Sequence, residues 1–163
     1  MKTAVVFYSY DENCALIAEH IKARMNADLV RLRTKGEKKR GKLAGFIAAF
    51  AMVIQKRPAL KPFDFDPTAY DLIIIGSPVW AGSPTPPIRT FLSQTGISGK
   101  KLALFVSHAG GMGRALEEFA AMFSGNDIVD AKDFTNPAKN ADDTGRQVAD
   151  WAKALEEKAG GNS

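Results

Sequence analysis

Residues 70–82 have the sequence YDLIIIGSPVWAG, and this stretch decides the fold. Four consecutive large aliphatic residues, 72–75, are followed at once by Gly76. A short apolar run without alternation is typical of a strand covered on both faces, as in a parallel sheet between two layers of helices. Because Pro78 cannot donate a hydrogen bond to a neighbouring strand, we expect the strand to stop here. Ligands bind at the carboxyl ends of such strands, so residues 78–82 form a candidate ligand loop.

Four further apolar runs alternate with segments whose apolar residues recur at helical spacing. The runs lie at residues 3–7, 28–32, 102–106 and 128–134, and the last of them is predicted to be an edge strand. Five strands that alternate with helices predict a three-layer, doubly wound α/β fold with a five-stranded parallel sheet. For this length the natural strand order is 2-1-3-4-5, which has its switch point between the first and third strands.

The composition is that of an ordinary globular domain, with 45% hydrophobic and 25% charged residues in a chain of 163. The single cysteine excludes a disulfide framework and a multi-cysteine metal site, and it suits a reducing compartment. No apolar run reaches the length of a membrane span, and the chain enters a strand from its first residues, unlike a signal peptide. We therefore expect a single cytoplasmic domain at 1–159 with a frayed tail at 160–163.

Residues 34–62 interrupt the alternation with a basic run and then an apolar patch. The basic run supplies much of the net charge of +4, which is mild, and we expect no nucleic-acid partner. The apolar patch predicts a helix at 43–57. Its apolar face could pack on the protein's own core, form a homodimer or partner surface, or lie on a membrane surface, and the sequence leaves these alternatives open.

Three loops follow the carboxyl ends of predicted strands, at 9–14, 77–82 and 107–111. The first offers hydroxyl groups, an amide and the free N–H groups of a helix start, which together suit an anion. The second offers Trp80 as a stacking surface beside exposed backbone. The glycines of the third let backbone N–H groups reach the edge of a flat polar ring. An anion at one end and a planar heterocycle at the other describe flavin mononucleotide (FMN).

The first two of these loops resemble motifs of the flavodoxin family. Residues 8–14, YSYDENC, are similar to the family's Y-S-x-x-G-N-T, and residues 77–82, SPVWAG, match its S/T-P-V-W-A-G without a change. The segments FDFDP at 63–67 and PPIRTFL at 86–92 are similar to a subgroup of short flavodoxin-like proteins. The resemblance covers almost the full chain. It implies a flavodoxin-like fold with non-covalent FMN, whose phosphate lies in the first loop and whose ring lies between the second and third.

The loops and the resemblance together assign one set of residues to FMN. These residues are Ser9, Tyr10, Asp11, Asn13, Cys14, Pro78, Val79, Trp80, Ala81, Gly82, Ser107, His108, Gly110 and Gly111. No catalytic residue and no metal ligand is assigned. Trp80 is predicted to contact the flavin ring, with packing against a neighbouring helix as the alternative. His108 is predicted to lie near the ring or a substrate, with a surface histidine as the alternative.

Two residues of the first loop depart from the family pattern, because Glu12 and Cys14 stand where the family has Gly and Thr. A thiol is a poor substitute for a hydroxyl donor, although the helix start would favour a Cys14 thiolate. A carboxylate about 6 Å from a phosphate charge costs roughly 2.8 kcal/mol at an effective dielectric constant near 20, provided that it points inward. Acidic residues at a helix start also satisfy its N–H groups, so Asp11 and Glu12 have a structural explanation as well.

The resemblance implies electron transfer or quinone reduction by the bound flavin. One interpretation is an electron carrier that meets a redox partner protein. Another is an FMN-dependent reductase that uses NADH or NADPH to reduce a small-molecule acceptor such as a quinone. A third is a non-enzymatic protein-binding module whose FMN site is weakened or lost. Flavodoxins are usually acidic, so the basic charge of this chain favours an acidic partner or a small-molecule substrate.

Overall fold

The structure is a computed structural model, and it describes residues 1–35 and 57–161. The helix predicted at 43–57, and the homodimer surface predicted on it, lie outside the described residues apart from Arg57. On either side of this segment, the described chain forms a short antiparallel pair in which Lys35 N donates to Ala59 O and Lys61 N donates to Arg33 O, at 2.8 and 2.7 Å.

The core of the fold is one twisted sheet with helices on both faces. Its strands are β1 (Thr3–Tyr8), β2 (Asp28–Leu32), β3 (Leu72–Trp80), β4 (Ser83–Pro84), β5 (Lys101–His108) and β6 (Asp127–Thr135). Five of them are parallel in the order β2-β1-β3-β5-β6, and the two-residue β4 pairs antiparallel with β3. This confirms the predicted 2-1-3-4-5 order, with the switch point between β1 and β3.

The α-helices of the described residues are α1 (Asn13–Met25), α2 (Pro86–Thr95), α3 (Ala115–Met122) and α4 (Ala141–Gly160). Successive residues of the central strands face opposite sides of the sheet, as pleating requires. Val5 belongs to the apolar cluster shared with α1 and α4, whereas Val6 belongs to the cluster shared with α2 and α3. The predicted three-layer, doubly wound architecture is therefore confirmed. None of the helices in the described part of the chain has the length and apolarity to cross a membrane.

Strand β3 is longer than the sequence predicts. It continues through Pro78, which is in register with Ser107 of β5, and ends at Trp80. The prediction that the strand stops at the proline is therefore wrong. The pairing with β1 ends at Gly76, so β3 has lost that neighbour by the time it reaches Pro78. A residue without an N–H group can extend a strand where one side is unpaired.

Two aspartates, Asp142 and Asp143, lie at the start of α4. The helix begins at Ala141 with Asn140 at the capping position, and both aspartates lie inside the first turn. There their charges favour the positive end of the helix dipole without acting as caps. At the other end α4 includes Gly160, the first residue of the predicted frayed tail, and 162–163 lie outside the described residues.

Candidate functional site

The three candidate loops meet at the carboxyl edge of the sheet. The first contacts the third through Cys14 and Ser107, whose Sγ and Oγ atoms are 3.1 Å apart. The first contacts the second through the Tyr10 and Trp80 rings, whose centroids are 5.9 Å apart. The second approaches the chain just after the third, since a Cβ atom on Gly113 would lie 3.5 Å from Cα of Gly82. The topology thus brings the loops after β1, β3 and β5 into one surface.

The first loop uses its own side chains on the N–H groups at the start of α1. The Ser9 hydroxyl accepts from Ala15 N at 3.1 Å, and Asp11 accepts from Asn13 N at 3.2 Å. Within the described residues, the N–H group of Cys14 has no acceptor. The predicted anion cradle is therefore partly occupied by an aspartate of the same loop.

Asn13 holds the loop in place on two sides. Its amide nitrogen donates to the Asp11 carboxylate at 2.7 Å, and its amide oxygen accepts from Ala138 N at 2.9 Å. Ala138 belongs to the 3-10 turn at Pro137–Asn140 that precedes α4. The Asn13 side chain thus connects the start of α1 to the start of α4.

Glu12 occupies the capping position of α1 in the left-handed region, with φ of 66°. This conformation explains why glycine suits the position in the family motif, because only glycine adopts it without a steric penalty. The Glu12 carboxylate is held by Arg31 of β2, whose two terminal nitrogens donate to its oxygens at 2.5 and 3.0 Å. The sequence analysis missed Arg31. The available signal was a cation at the carboxyl end of a short apolar strand that neighbours β1.

Cys14 is fully buried between α1 and the sheet. Burial raises the pKa of its thiol to about 12, and the hydrogen bond with Ser107 only partly opposes this. The predicted thiolate is therefore wrong, because loss of hydration outweighs the helix start. The side chains of Ser9 and Ser107 are also buried. The side chains of Ser9, Cys14 and Ser107 therefore contribute to packing and hydrogen bonding within the fold.

The second loop is a tight hairpin between β3 and β4. Val79 and Trp80 are half-buried, and the Tyr8 and Tyr10 rings meet the Trp80 ring edge-on. The buried Ser77 hydroxyl accepts from Thr85 N at 2.8 Å and thereby fixes the base of the hairpin. Ala81 and Gly82 form the two-residue connection, and both have positive φ, at 50° and 75°.

Ala81→Gly is expected to stabilise the protein by about 0.5–1 kcal/mol. A turn with positive φ at both central residues favours glycine or asparagine, and an alanine there is strained. Thermal unfolding of the protein without added ligand measures the effect, which corresponds to a rise of about 1–4 °C in melting temperature. Ala154→Gly, inside α4, is the control and should destabilise by about 1 kcal/mol. A lower melting temperature for Ala81→Gly would contradict the strain at Ala81.

The third loop combines an anchored histidine with open glycine backbone. Nε2 of His108 lies 2.9 Å from the Asp133 carboxylate of β6, the side chain is only 9% exposed, and Nδ1 is buried with no hydrogen-bond partner among the described residues. Gly110 and Gly111 have φ of 138° and 75°, and within residues 1–35 and 57–161 a Cβ atom on either would meet nothing within 4 Å. The described part of the chain therefore leaves the backbone at these glycines uncovered.

Other parts of the described chain offer weaker candidates for a functional site. A groove of about 760 Å³ lies between α1 and α4, and its lining includes Arg24, Arg146 and Asp150 but no residue of the three loops. Residues 1–35 and 57–161 contain no group of three His, Cys, Asp or Glu residues that could hold a metal. The carboxyl edge therefore carries the strongest candidate site.

The chain is similar to several proteins of known structure. It aligns with a flavoprotein from Lactobacillus acidophilus NCFM solved in complex with FMN, at 24% identity over 85% of this chain and 97% of that one, with a TM-score of 0.69. A protein from Bacteroides uniformis ATCC 8492 gives a TM-score of 0.77 at 19% identity, over 93% and 97% of the two chains. Oxidised flavodoxin 2 from Bacillus cereus gives 0.58 at 21% identity, over 97% and 99%.

These likenesses are below 25% identity and establish the fold. Among curated protein sequences, no match was found. A family model described as Flavodoxin matches residues 2–154. Since that match spans nearly the whole chain, the protein belongs to the flavodoxin family.

Proposed function

We propose that the protein binds FMN non-covalently at the carboxyl edge of the sheet and transfers electrons through it. The observation that carries this proposal is the uncovered backbone at Gly82, Gly110 and Gly111: among the described residues, a Cβ atom on any of the three would meet nothing within 4 Å beyond its immediate chain neighbours. The half-buried Trp80 adjoins this backbone on the same hairpin as Gly82. Backbone that a flat ring can approach, next to an aromatic side chain, suits the isoalloxazine ring. The FMN complex of the Lactobacillus acidophilus flavoprotein supports the same ligand.

The first loop, which would bind the FMN phosphate, suits its ligand group less well than the loops that would adjoin the ring. Residues 9–14 present the start of a 13-residue helix, whose dipole and N–H groups favour an anion. The Cys14 N–H group is without an acceptor in the described structure, but Asp11 already accepts from Asn13 N. The first loop would therefore hold the phosphate, with the Asp11 carboxylate as a competitor for one donor.

The bound flavin would supply the redox chemistry, and the protein would orient it and adjust its potential. The contact between the His108 ring and Asp133 holds the third loop in place next to Gly110 and Gly111. Asn136 supports the same loop, since its backbone N donates to His108 O at 2.8 Å and its amide donates to Ala109 O at 3.2 Å. The net charge of +4 supports an acidic redox partner or a small-molecule acceptor such as a quinone.

The visible absorption spectrum of the purified protein tests the proposal. A yellow protein, or a protein without flavin that quenches FMN fluorescence on titration, is the expected result. A colourless protein that leaves FMN fluorescence unchanged would refute FMN binding and favour a protein-binding role. If flavin binds, oxidation of NADH or NADPH in the presence of a quinone separates a reductase from an electron carrier.

Trp80→Ala is expected to weaken FMN binding about 10- to 100-fold. Stacking of a planar heterocycle on an aromatic side chain contributes about 1–3 kcal/mol in comparable sites. The titration of FMN fluorescence measures the change. Trp80→Phe keeps an aromatic face and is the matched control, with an expected loss of no more than about fivefold. An unchanged affinity in Trp80→Ala, with the melting temperature retained, would show that this ring only packs on Tyr8 and Tyr10.

A further inference from the structure

The first loop carries a charge arrangement that the family motif does not predict. Glu12 stands at the glycine position with positive φ, and its side chain is 55% exposed. Asp11 is beside it and is also exposed. Two carboxylates therefore belong to the loop that would receive a phosphate, and each repels an anion unless a cation compensates.

Arg31 compensates one of these carboxylates through a fixed geometry. One terminal nitrogen donates to a Glu12 oxygen at 3.0 Å, and the other donates to the second oxygen at 2.5 Å. The second nitrogen also donates to the backbone oxygen of Ser9 at 3.1 Å. The Arg31 side chain is 26% exposed, so the Arg31–Glu12 pair is partly shielded from water. A bidentate guanidinium–carboxylate pair holds direction as well as charge.

This pairing fixes where the Glu12 carboxylate points. Arg31 lies on β2, in register with Phe7 of β1, and so it reaches the loop from the flanking strand. The carboxylate is drawn toward β2, and its charge is opposed at contact distance. The same guanidinium group anchors the loop at Ser9, the residue whose hydroxyl accepts from the first turn of α1.

We propose that Arg31 is a positioning residue that makes the first loop acceptable to a phosphate, by holding and neutralising the Glu12 carboxylate. The inference rests on the proposed function, and it assigns to the Arg31–Glu12 pair the preference for a phosphorylated over an unphosphorylated flavin. Glycine in the family motif meets the same requirement without a charge. In this chain the pair replaces the glycine.

The test compares FMN with riboflavin, which carries the same ring without the phosphate, in a double-mutant cycle. Arg31→Met should weaken FMN binding about 10- to 100-fold, because it removes the guanidinium charge beside Glu12. The same variant should change the affinity for riboflavin by less than about threefold. Glu12→Gly should bind FMN at least as tightly as the unmodified protein. The double variant Glu12→Gly/Arg31→Met should bind FMN within about threefold of the unmodified protein, because the charge that Arg31 opposes is gone. Arg31→Lys keeps the positive charge but cannot donate to both carboxylate oxygens as the guanidinium group does. Its affinity for FMN should therefore lie between that of the unmodified protein and that of Arg31→Met.

Each result has a distinct meaning. A double variant as weak as Arg31→Met would overturn the proposal, since Arg31 would then act on the phosphate or on Ser9 directly. An equal loss of FMN and riboflavin would also overturn it, because it would indicate general damage to the loop. The FMN loss in Arg31→Met should shrink at high salt, and melting temperatures without flavin check that each variant is folded. If the unmodified protein binds riboflavin but not FMN, the inference fails while flavin binding stands. If it binds neither flavin, the proposed function fails and the inference fails with it.

Discussion

Gly76→Ala is expected to lower the free energy of unfolding by about 3 kcal/mol, the largest loss from any single methyl group that we predict. A Cβ atom on Gly76 would lie 2.0 Å from Cζ of Phe105 and within 2.5 Å of two further atoms of that ring. The two residues are direct partners in the β3–β5 ladder. The Phe105 ring is fully buried, and it lies edge-on to Phe134 and Trp151 at 6.3 Å from each. It therefore has little room to move aside.

Urea unfolding followed by circular dichroism measures this loss. Gly160→Ala is the matched control, since a Cβ atom there meets nothing within 4 Å and the residue lies in a helix. It should be neutral or slightly stabilising. Phe105→Leu should make room for the new methyl group, so the double variant should cost at least about 1 kcal/mol less than the sum of the single variants. A loss below about 1 kcal/mol in Gly76→Ala would show that the ring is not fixed over the glycine.

The arrangement of Gly76 and Phe105 illustrates how much of the fold the sequence predicts. Unbroken apolar runs and their alternation with helical patterns are properties of local composition, and they identified β1, β2, β3, β5 and β6. The strand order followed from the usual topology of a doubly wound sheet of this length. The ring of Phe105 over Gly76, by contrast, depends on the register between two strands whose paired residues are 29 positions apart in the chain. Patterns within a strand do not encode that register, so the sequence predicts no packing role for Gly76.

The candidate site divides in the same way. Trp80, Gly82 and the glycines of the third loop could be proposed as ring contacts because they lie at or just beyond the carboxyl ends of buried strands. The side-chain contacts of the first loop could not be predicted from the sequence of the loop alone. The direction of the Glu12 side chain is set by Arg31, which lies 19 positions away in the chain. The hydrogen-bond partner of the Cys14 thiol is Ser107, 93 positions away. Such contacts follow from the packing of neighbouring elements rather than from a motif.

The Cys14 thiol is expected to react with a disulfide reagent at pH 8 at least about a thousandfold more slowly in the folded protein than in urea. The thiolate is the reactive form, and a pKa of about 12 leaves about one thiol in ten thousand ionised at this pH. Because the folded pKa lies above the ordinary value of 9.0, burial of the neutral thiol stabilises the fold fully below pH 9.0, and this contribution is lost as the pH rises toward 12. Full burial also prevents the reagent from reaching the sulfur.

The rate of colour release by the reagent measures the reaction. Cys14→Ser/Glu19→Cys is the matched control, because it moves the only thiol to an exposed position of the same helix. This variant should react at the rate of the unfolded chain with or without urea. Ser107→Ala removes the partner of the thiol, and since burial remains the dominant cause of the raised pKa, the variant should stay protected. Fast labelling of the folded native sequence would contradict the burial of Cys14.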